Sequence, residues 1–399
     1  MNLNIARQPL LWFAFLAGFA IPVSTAMQNI SAGVLVLFAI FTPEIRQHIA
    51  NALRQPLIQA CLLMYSLFVL GIFWTDASIN DALGMLLKMR AYLLAPLFFA
   101  LCTLAPVRQY LLAGFGLGAV ITLVLSIGSG LSGTPIIQGA IGDYSVFRTH
   151  TYHSTFVSFL ACGIGAYWMA GRLPKQWRWP ASITIALCIF DVFFMVKGRT
   201  AQVLLLLLLG LLVVLWQGRR GFFIALIAVA VMGPLLYLGS SSLRTSMSTV
   251  QSDVQSYDKG DIDTSVGLRL FFHKVAKDLI KEAPVLGHGT GSYKQNYLKN
   301  AGDSEVRRSF ANPHNDYLWL GVELGLFGMC SLVLLLLATA KQAWGQVAAE
   351  RWLGLVLVCS YGVSTLANSF FTDNITGLAY VLLACALLAG SSFHRKVSL

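Results

Sequence analysis

The sequence predicts an all-α polytopic membrane protein of about twelve transmembrane helices with one large, partly helical loop between late spans. Three observations predict it. Of 399 residues, 57% are apolar and only 11% are Asp, Glu, Lys or Arg, whereas soluble domains carry about a quarter charged residues. Mean hydropathy is +0.70. The apolar residues fall into repeated continuous runs close to the ~20 residues that a bilayer core requires. This composition excludes a soluble enzyme, a disordered chain, a DNA-binding domain and a small disulfide scaffold. Continuous rather than alternating runs also argue against a porin-type barrel. The formal charge of +11 is scattered between apolar segments, which suits orientation signals and anionic lipid or phosphate, not nucleic acid.

On that template the expected spans lie near 10–27, 30–42, 57–74, 86–104, 110–130, 153–171, 180–196, 203–216, 221–238, 316–340, 352–371 and 374–391. The chain then divides into helices 1–9 over 1–238, a loop over 239–313 and helices 10–12 over 314–399. A charge count supports the numbering. With a cytoplasmic N-terminus, the inner loops hold Arg46, Arg54, Arg108, Arg172, Lys175, Arg178, Arg219, Arg220, Lys341, Arg351, Arg395 and Lys396. The outer loops hold Asp76, Asp81, Asp143 and Asp373. Both termini are therefore expected inside and the long loop outside. The seven cysteines lie in apolar stretches without a CxxC pair and read as small buried hydrophobes.

Five cations oppose the sorting rule. Lys88 and Arg90 are expected at the outer end of the fourth span, Arg148 in an outer loop, and Lys197 and Arg199 at the outer end of the seventh. Ionisable groups at membrane depth point to function. The structural alternative is snorkelling, or a local pair such as Lys197 with Asp191.

The long loop has internal order. Leu268, Phe271, Phe272, Val275, Leu279 and Ile280 recur at helical spacing, with Lys274, Lys277, Asp278 and Lys281 opposite, which predicts an amphipathic helix over 267–282. The glycine-rich turn Gly287–Gly291 follows. It lacks the Lys-Ser or Lys-Thr of a phosphate loop and reads as a helix stop. Upstream, Ser240–Thr264 is polar and is expected to be irregular.

The richest constellation is Asn312-Pro313-His314-Asn315-Asp316-Tyr317 at the mouth of the tenth span. Pro313 disfavours helix before it, and Asn or Asp caps the helix after it. A histidine at a helix N-terminus meets a positive dipole end, which lowers its pKa and leaves a neutral imidazole able to take a hydroxyl proton. The bland reading is a capping side chain. Arg269 opens the amphipathic helix and Arg199 follows Gly198; arginine's planar fork suits phosphate oxygens. His150 and His153 are further polar candidates near the outer end of the sixth span, and Asn315 and Tyr317 are candidates to orient sugars. No metal motif is legible.

These residues carry a resemblance. Arg269, the run Ala283-Pro284-Val285-Leu286-Gly287 with Gly289 and Gly291, Pro313–Leu318, and Glu323-Leu324-Gly325-Leu326-Phe327-Gly328 resemble the signature of the O-antigen ligase/polymerase superfamily, and within it the O-antigen ligases (WaaL type). The resemblance implies a GT-C-like glycosyltransferase of the bacterial inner membrane, with a periplasmic site. Its implied donor is glycan on undecaprenyl diphosphate and its implied acceptor lipid A–core, in an inverting transfer that needs neither metal nor other cofactor. By the same resemblance Arg199 and Arg269 engage the diphosphate and His314 is the base; Lys88, Arg90, Arg148 and Lys197 are further candidates for the diphosphate from their place at the outer leaflet. Competing readings are a Wzy-type polymerase and a protein O-oligosaccharyltransferase. A lipid or glycolipid transporter is a different class; the absence of paired interrupted helices in matching halves argues against it.

Overall fold

The computed structural model describes residues 3–239, 241–259, 262–309 and 311–390. Arg395 and Lys396 lie outside the described residues. The elements are, in order, α1 (Leu3–Val23), α2 (Thr25–Phe41), α3 (Pro43–Ala52), α4 (Pro56–Leu70), α5 (Ile79–Cys102), α6 (Ala105–Ser132), α7 (His150–Met169), α8 (Arg178–Phe190), α9 (Arg199–Gln217), α10 (Arg219–Gly239), α11 (Ser241–Asp258), α12 (Ser265–Glu282), α13 (Tyr293–Asn300), α14 (Glu305–Ser309), α15 (Asp316–Trp344), α16 (Ala348–Ser364) and α17 (Asn374–Leu388). Each of the twelve expected apolar segments contains helix, although the eleventh leaves it after Ser364. Among the described residues seven helices are long and apolar enough to cross a bilayer by themselves, or eight spans result if α2 and α3, bent by 98°, form one. The protein is an all-α polytopic membrane protein.

Helix boundaries depart from expectation where caps decide them. Ser24 Oγ accepts the Met27 N–H, so the first helix stops at Val23 and a second begins at once. Ser78 caps α5, which starts at Ile79; Lys88 and Arg90 therefore lie more than two turns inside the helix, not at its mouth. Arg199 does not end the seventh span but opens α9. The polar stretch expected to be irregular contains α11.

Lipid surrounds the bundle and so offers no hydrophobic drive between its helices; close approach of small residues does that work. α1 and α6 cross this way. A Cβ on Gly114 would stand 2.0 Å from the Phe15 carbonyl oxygen, and one on Gly18 1.9 Å from that of Leu111. α17 is apolar on every side and is buried throughout Thr376–Leu388, at the centre. α10 is also strongly apolar yet almost wholly exposed among the described residues, as a lipid-facing helix would be.

The loops expected inside gather at one end of the bundle, where Gln55, Arg108, Arg172, Lys341 and Gly390 line one cavity. The loops expected outside meet at the other. There Gln28 Nε2 donates to the Ile375 carbonyl at 3.1 Å, and the Tyr144 N–H to that of Met195 at 3.0 Å.

The expected amphipathic helix is α12. Its apolar face, with Phe272, Val275, Ala276 and Leu279, packs on Tyr293 and Tyr297 of α13 and Val322 of α15. The glycine turn after it is a docking element. α15 breaks at Gly325 (φ 60°, ψ −145°), which releases the Val322 and Glu323 carbonyls to accept the His288 and Gly289 N–H groups at 2.8 Å each. The Leu326 N–H returns to the Pro284 carbonyl at 2.9 Å. Only glycine fits at 325: the conformation is left-handed, and a Cβ would lie 2.4 Å from the Val285 carbonyl. The other side of the turn is bound to the end of α4, where Thr290 N–H reaches the Gly71 carbonyl at 3.1 Å and His288 Nδ1 meets Asp76 Oδ2 at 2.9 Å.

Candidate active site

His314 sits two residues before α15 in a left-handed backbone conformation (φ 48°). Such a conformation costs a non-glycine residue about 1–3 kcal/mol, so its surroundings must impose it. They do so on both sides. Asn312 Oδ1 accepts the His314 N–H at 2.8 Å and the Ser369 hydroxyl at 2.8 Å. Asn315 caps α15 through the Leu318 N–H at 3.1 Å and donates to the Leu366 carbonyl at 3.0 Å. The buried Asp316 carboxylate accepts Phe370 and Phe371 N–H at 2.7 Å each, Thr372 N–H at 3.1 Å and the Thr365 hydroxyl. The start of α15 is in this way clamped to the α16–α17 turn.

The His314 imidazole lies 6.1 Å, centroid to centroid, from the Phe272 ring. Among the described residues no carboxylate hydrogen-bonds it. Burial, then the charges of Arg269 and His273, push its pKa down to about 4. It is therefore neutral near pH 7. Arg269 and His273 stand one turn apart on α12, and the Pro313 backbone is near enough to the His273 ring to favour its protonated form, which sets that helix beside the His314 loop. His273 is also held below its usual value, by burial first and then by Lys277 and Arg269. His273 escaped the sequence reading, in which Phe272 figured only on the apolar face of the helix and Asn312 only in the run before the tenth span. The one legible signal was the i, i+4 spacing of Arg269 and His273 on a helix face.

A second cluster forms where α7 and α9 begin. Neither start has a side-chain cap from its N-cap residue, Thr149 or Gly198, so first-turn N–H groups remain for an anion. The two meet closely: a Cβ on Gly198 would lie 3.8 Å from His150 Cδ2. His150 Nδ1 stands 3.5 Å from Asp143 Oδ2, and Asp143 Oδ1 accepts the Lys197 N–H at 3.4 Å. Burial works to raise the Asp143 carboxyl, but His150 and the backbone N–H groups of Lys197 and Ser145 outweigh it and hold the carboxyl below the usual range. Arg199 begins α9 beside this cluster; its side chain lies outside the described residues.

The remaining expected residues fall into different places. His153 is wholly buried: its Nδ1 accepts the Val146 N–H at 3.1 Å and its Nε2 meets Asp191 Oδ2 at 2.9 Å. Asp191 therefore pairs with His153, not with Lys197, and the pair fastens the turn before Gly198 to α7. Arg148 is buried with its guanidinium spent on the end of α1: Nη2 donates to the Ala20 and Ile21 carbonyls at 3.1 and 3.0 Å, and Nη1 to Thr25 Oγ1. Arg90 donates to its own helix at Leu87 and to Asn29 Oδ1. Lys88 lies 5.9 Å over the Trp319 ring, and Trp319 Nε1 donates to the buried Glu323 at 2.9 Å. Tyr317 packs partly buried against the main core.

The two clusters adjoin one turn of chain. Tyr152, on the first turn of α7, donates to Asp373 Oδ2 at 3.0 Å and meets the Phe370 ring edge-on at 5.3 Å. Phe370 is the residue whose N–H holds Asp316. A neutral imidazole that no carboxylate among the described residues bonds, an arginine beside it and two helix starts without a side-chain cap thus share one end of the bundle. Such a set can take a proton from a hydroxyl and hold a phosphate-bearing group.

Comparison with known proteins bears on this end. An uncharacterized protein of Haemophilus influenzae is 30% identical over 125 residues; the alignment spans 30% of this chain and 31% of that relative's length. Residues 184–333 match the family model described as O-antigen ligase. That match carries Arg199, Arg269, His273 and His314, so the chain is similar to the O-antigen ligase family across the segment that builds the His314 mouth.

Proposed function

We propose that the chain is an O-antigen ligase, transferring glycan from undecaprenyl diphosphate to a sugar hydroxyl of lipid A–core at the periplasmic face of the bacterial inner membrane. The observation that carries this reading is the neutral His314 beside Arg269, which no carboxylate among the described residues bonds, in the segment similar to that family. The diphosphate of the donor would lie between Arg269 and the α7 and α9 starts, with Lys197, Arg199 and His150 around it. The acceptor hydroxyl attacks the anomeric carbon from the face opposite the diphosphate, and His314 takes the hydroxyl proton. The new C–O bond forms as the bond to the diphosphate breaks, and the anomeric configuration inverts. The arginines stabilise the charge that builds on the departing diphosphate. A pKa near 4 suits an empty site; a diphosphate beside Arg269 raises it toward the working pH and makes His314 a better base when substrate is bound. In this topology N- and C-termini are cytoplasmic. The described residues of 1–238 and 314–399 form the membrane bundle in this reading, and those of 239–313 cover the site.

The test is transfer by purified chain and by His314→Ala, from lipid-linked O-antigen to rough lipopolysaccharide in detergent with EDTA and without ATP. Ladder formation by the unmodified chain alone supports the proposal. Elongation of the lipid-linked glycan without transfer to core identifies a polymerase. Lipid movement across liposomes with neither reaction sinks the enzyme reading.

A further inference from the structure

A cavity of about 1550 Å³ occupies the end of the bundle opposite His314, walled by α4, α6, α7, α15 and α16. It exceeds the ~300–1,000 Å³ of ordinary small-molecule sites. Its charged groups are Arg108, Arg172, Lys341 and Glu350, three cations against one carboxylate, while Phe115, Phe159 and Leu160 form an apolar wall. The arginines are held, not splayed into solvent. Arg108 Nη1 donates to the Cys102 and Thr103 carbonyls at 3.0 and 3.2 Å, and Arg172 Nη1 to Glu350 Oε1 at 2.6 Å. A guanidinium has five N–H donors, so each keeps others for a ligand. Trp177, Trp179 and Trp344 are 55%, 79% and 62% exposed at the same end. Exposed tryptophans mark headgroup depth, which places the cations at phosphate level and the aromatic wall among acyl chains.

We propose that this cavity binds an anionic glycerophospholipid of the leaflet at the Lys- and Arg-rich end. Its phosphate sits among Arg108, Arg172 and Lys341, and one acyl chain runs along Phe115, Phe159 and Leu160. Basic pockets between membrane helices select anionic headgroups; the excess of cations disfavours a zwitterionic lipid, whose ammonium it repels. The inference stands on the cavity itself and not on the reaction proposed for His314.

The experiment is native mass spectrometry of the full-length chain, delipidated and given dioleoyl phosphatidylglycerol, phosphatidylethanolamine or phosphatidylcholine in separate samples. Phosphatidylglycerol is retained best. Lys341→Gln and Arg172→Gln each lower its retention about fivefold, near 1 kcal/mol per cation, and leave phosphatidylcholine unchanged. Gly163→Leu supplies a variant that spares the charges. Gly163 lines the cavity and a Cβ there meets nothing within 4 Å, so the leucine side chain projects into the cavity, narrows the acyl-chain path and lowers retention of the lipid. Equal retention of the three lipids, or retention indifferent to all three substitutions, overturns the proposal. Competition by soluble glycerol phosphate as effective as the lipid overturns the acyl-chain half. Phosphatidylglycerol binding that appears only after removal of the residues following Gly390 assigns the cavity to the chain's own end and overturns it too.

Discussion

Asp316 stands two residues from His314, yet its carboxylate goes to the Phe370, Phe371 and Thr372 N–H groups and the Thr365 hydroxyl, not to the imidazole. The nearest acid in sequence is therefore a clamp on the backbone that carries His314. Glu323 is engaged likewise, by Trp319 Nε1 and the Gly291 N–H at 2.9 and 3.0 Å. Asp373 is engaged by Tyr152 and by the Ile375 N–H.

The two residues should separate cleanly on mutation. Asp316→Ala orphans several buried N–H groups, each worth about 1–3 kcal/mol, and should lower the unfolding temperature in detergent markedly. His314→Ala should abolish transfer and leave that temperature nearly unchanged. A stable, active Asp316→Ala chain would refute the clamp.

pH dependence follows from the depressed His314 value of about 4. An exposed histidine titrates near 6.5. Between those values the unfolded chain binds more protons than the folded one, so this group's stabilisation is complete above pH 6.5 and is lost as pH falls toward 4. The unmodified chain should lose stability relative to His314→Asn as pH falls through that window. If diphosphate raises the pKa, the acid limb of kcat should lie at higher pH than that of kcat/KM. Coincident limbs would count against the substrate-assisted base.

Cations near the mouth should sort by their partners. Arg269→Ala should cut kcat/KM by roughly 10- to 150-fold, the loss of a charge-assisted contact of about 1.5–3 kcal/mol. Lys197→Gln should raise KM more than it lowers kcat. Arg148→Gln should act through stability, because its donors hold the end of α1. Thermal unfolding beside steady-state kinetics distinguishes them; a stable Arg148→Gln chain defective only in KM would return Arg148 to the substrate.

Gly325→Ala tests the broken helix. A Cβ at a left-handed position 2.4 Å from the Val285 carbonyl should push the 284–291 turn off α15 and lower stability by more than about 2 kcal/mol. Faster amide hydrogen exchange at His288 and Gly289 is the specific readout. Unchanged exchange at those two amides would show that the turn does not depend on the break.

The sequence by itself determined what depends on composition and local period. Its low charge and long apolar runs required a membrane bundle, the 3.6-residue recurrence from Leu268 to Ile280 required α12, and Asn315 before Asp316 marked where α15 starts. It also singled out His314 and Arg269, because few residue types can do their chemistry. Tertiary structure decided everything set by neighbours distant in sequence. Only the fold shows that Arg148 serves α1 across 127 residues, that Asp191 pairs with His153, and that Asp316 holds the 370–372 backbone. Capping moved helix starts that hydropathy placed too late, since a serine such as Ser78 fixes an end through one hydrogen bond that an average over apolar residues does not register. Pairing across helices is a matter of which faces meet. One chain's periodicity gives each face but not its partner, and that is why the partners of the buried charges became visible only in three dimensions.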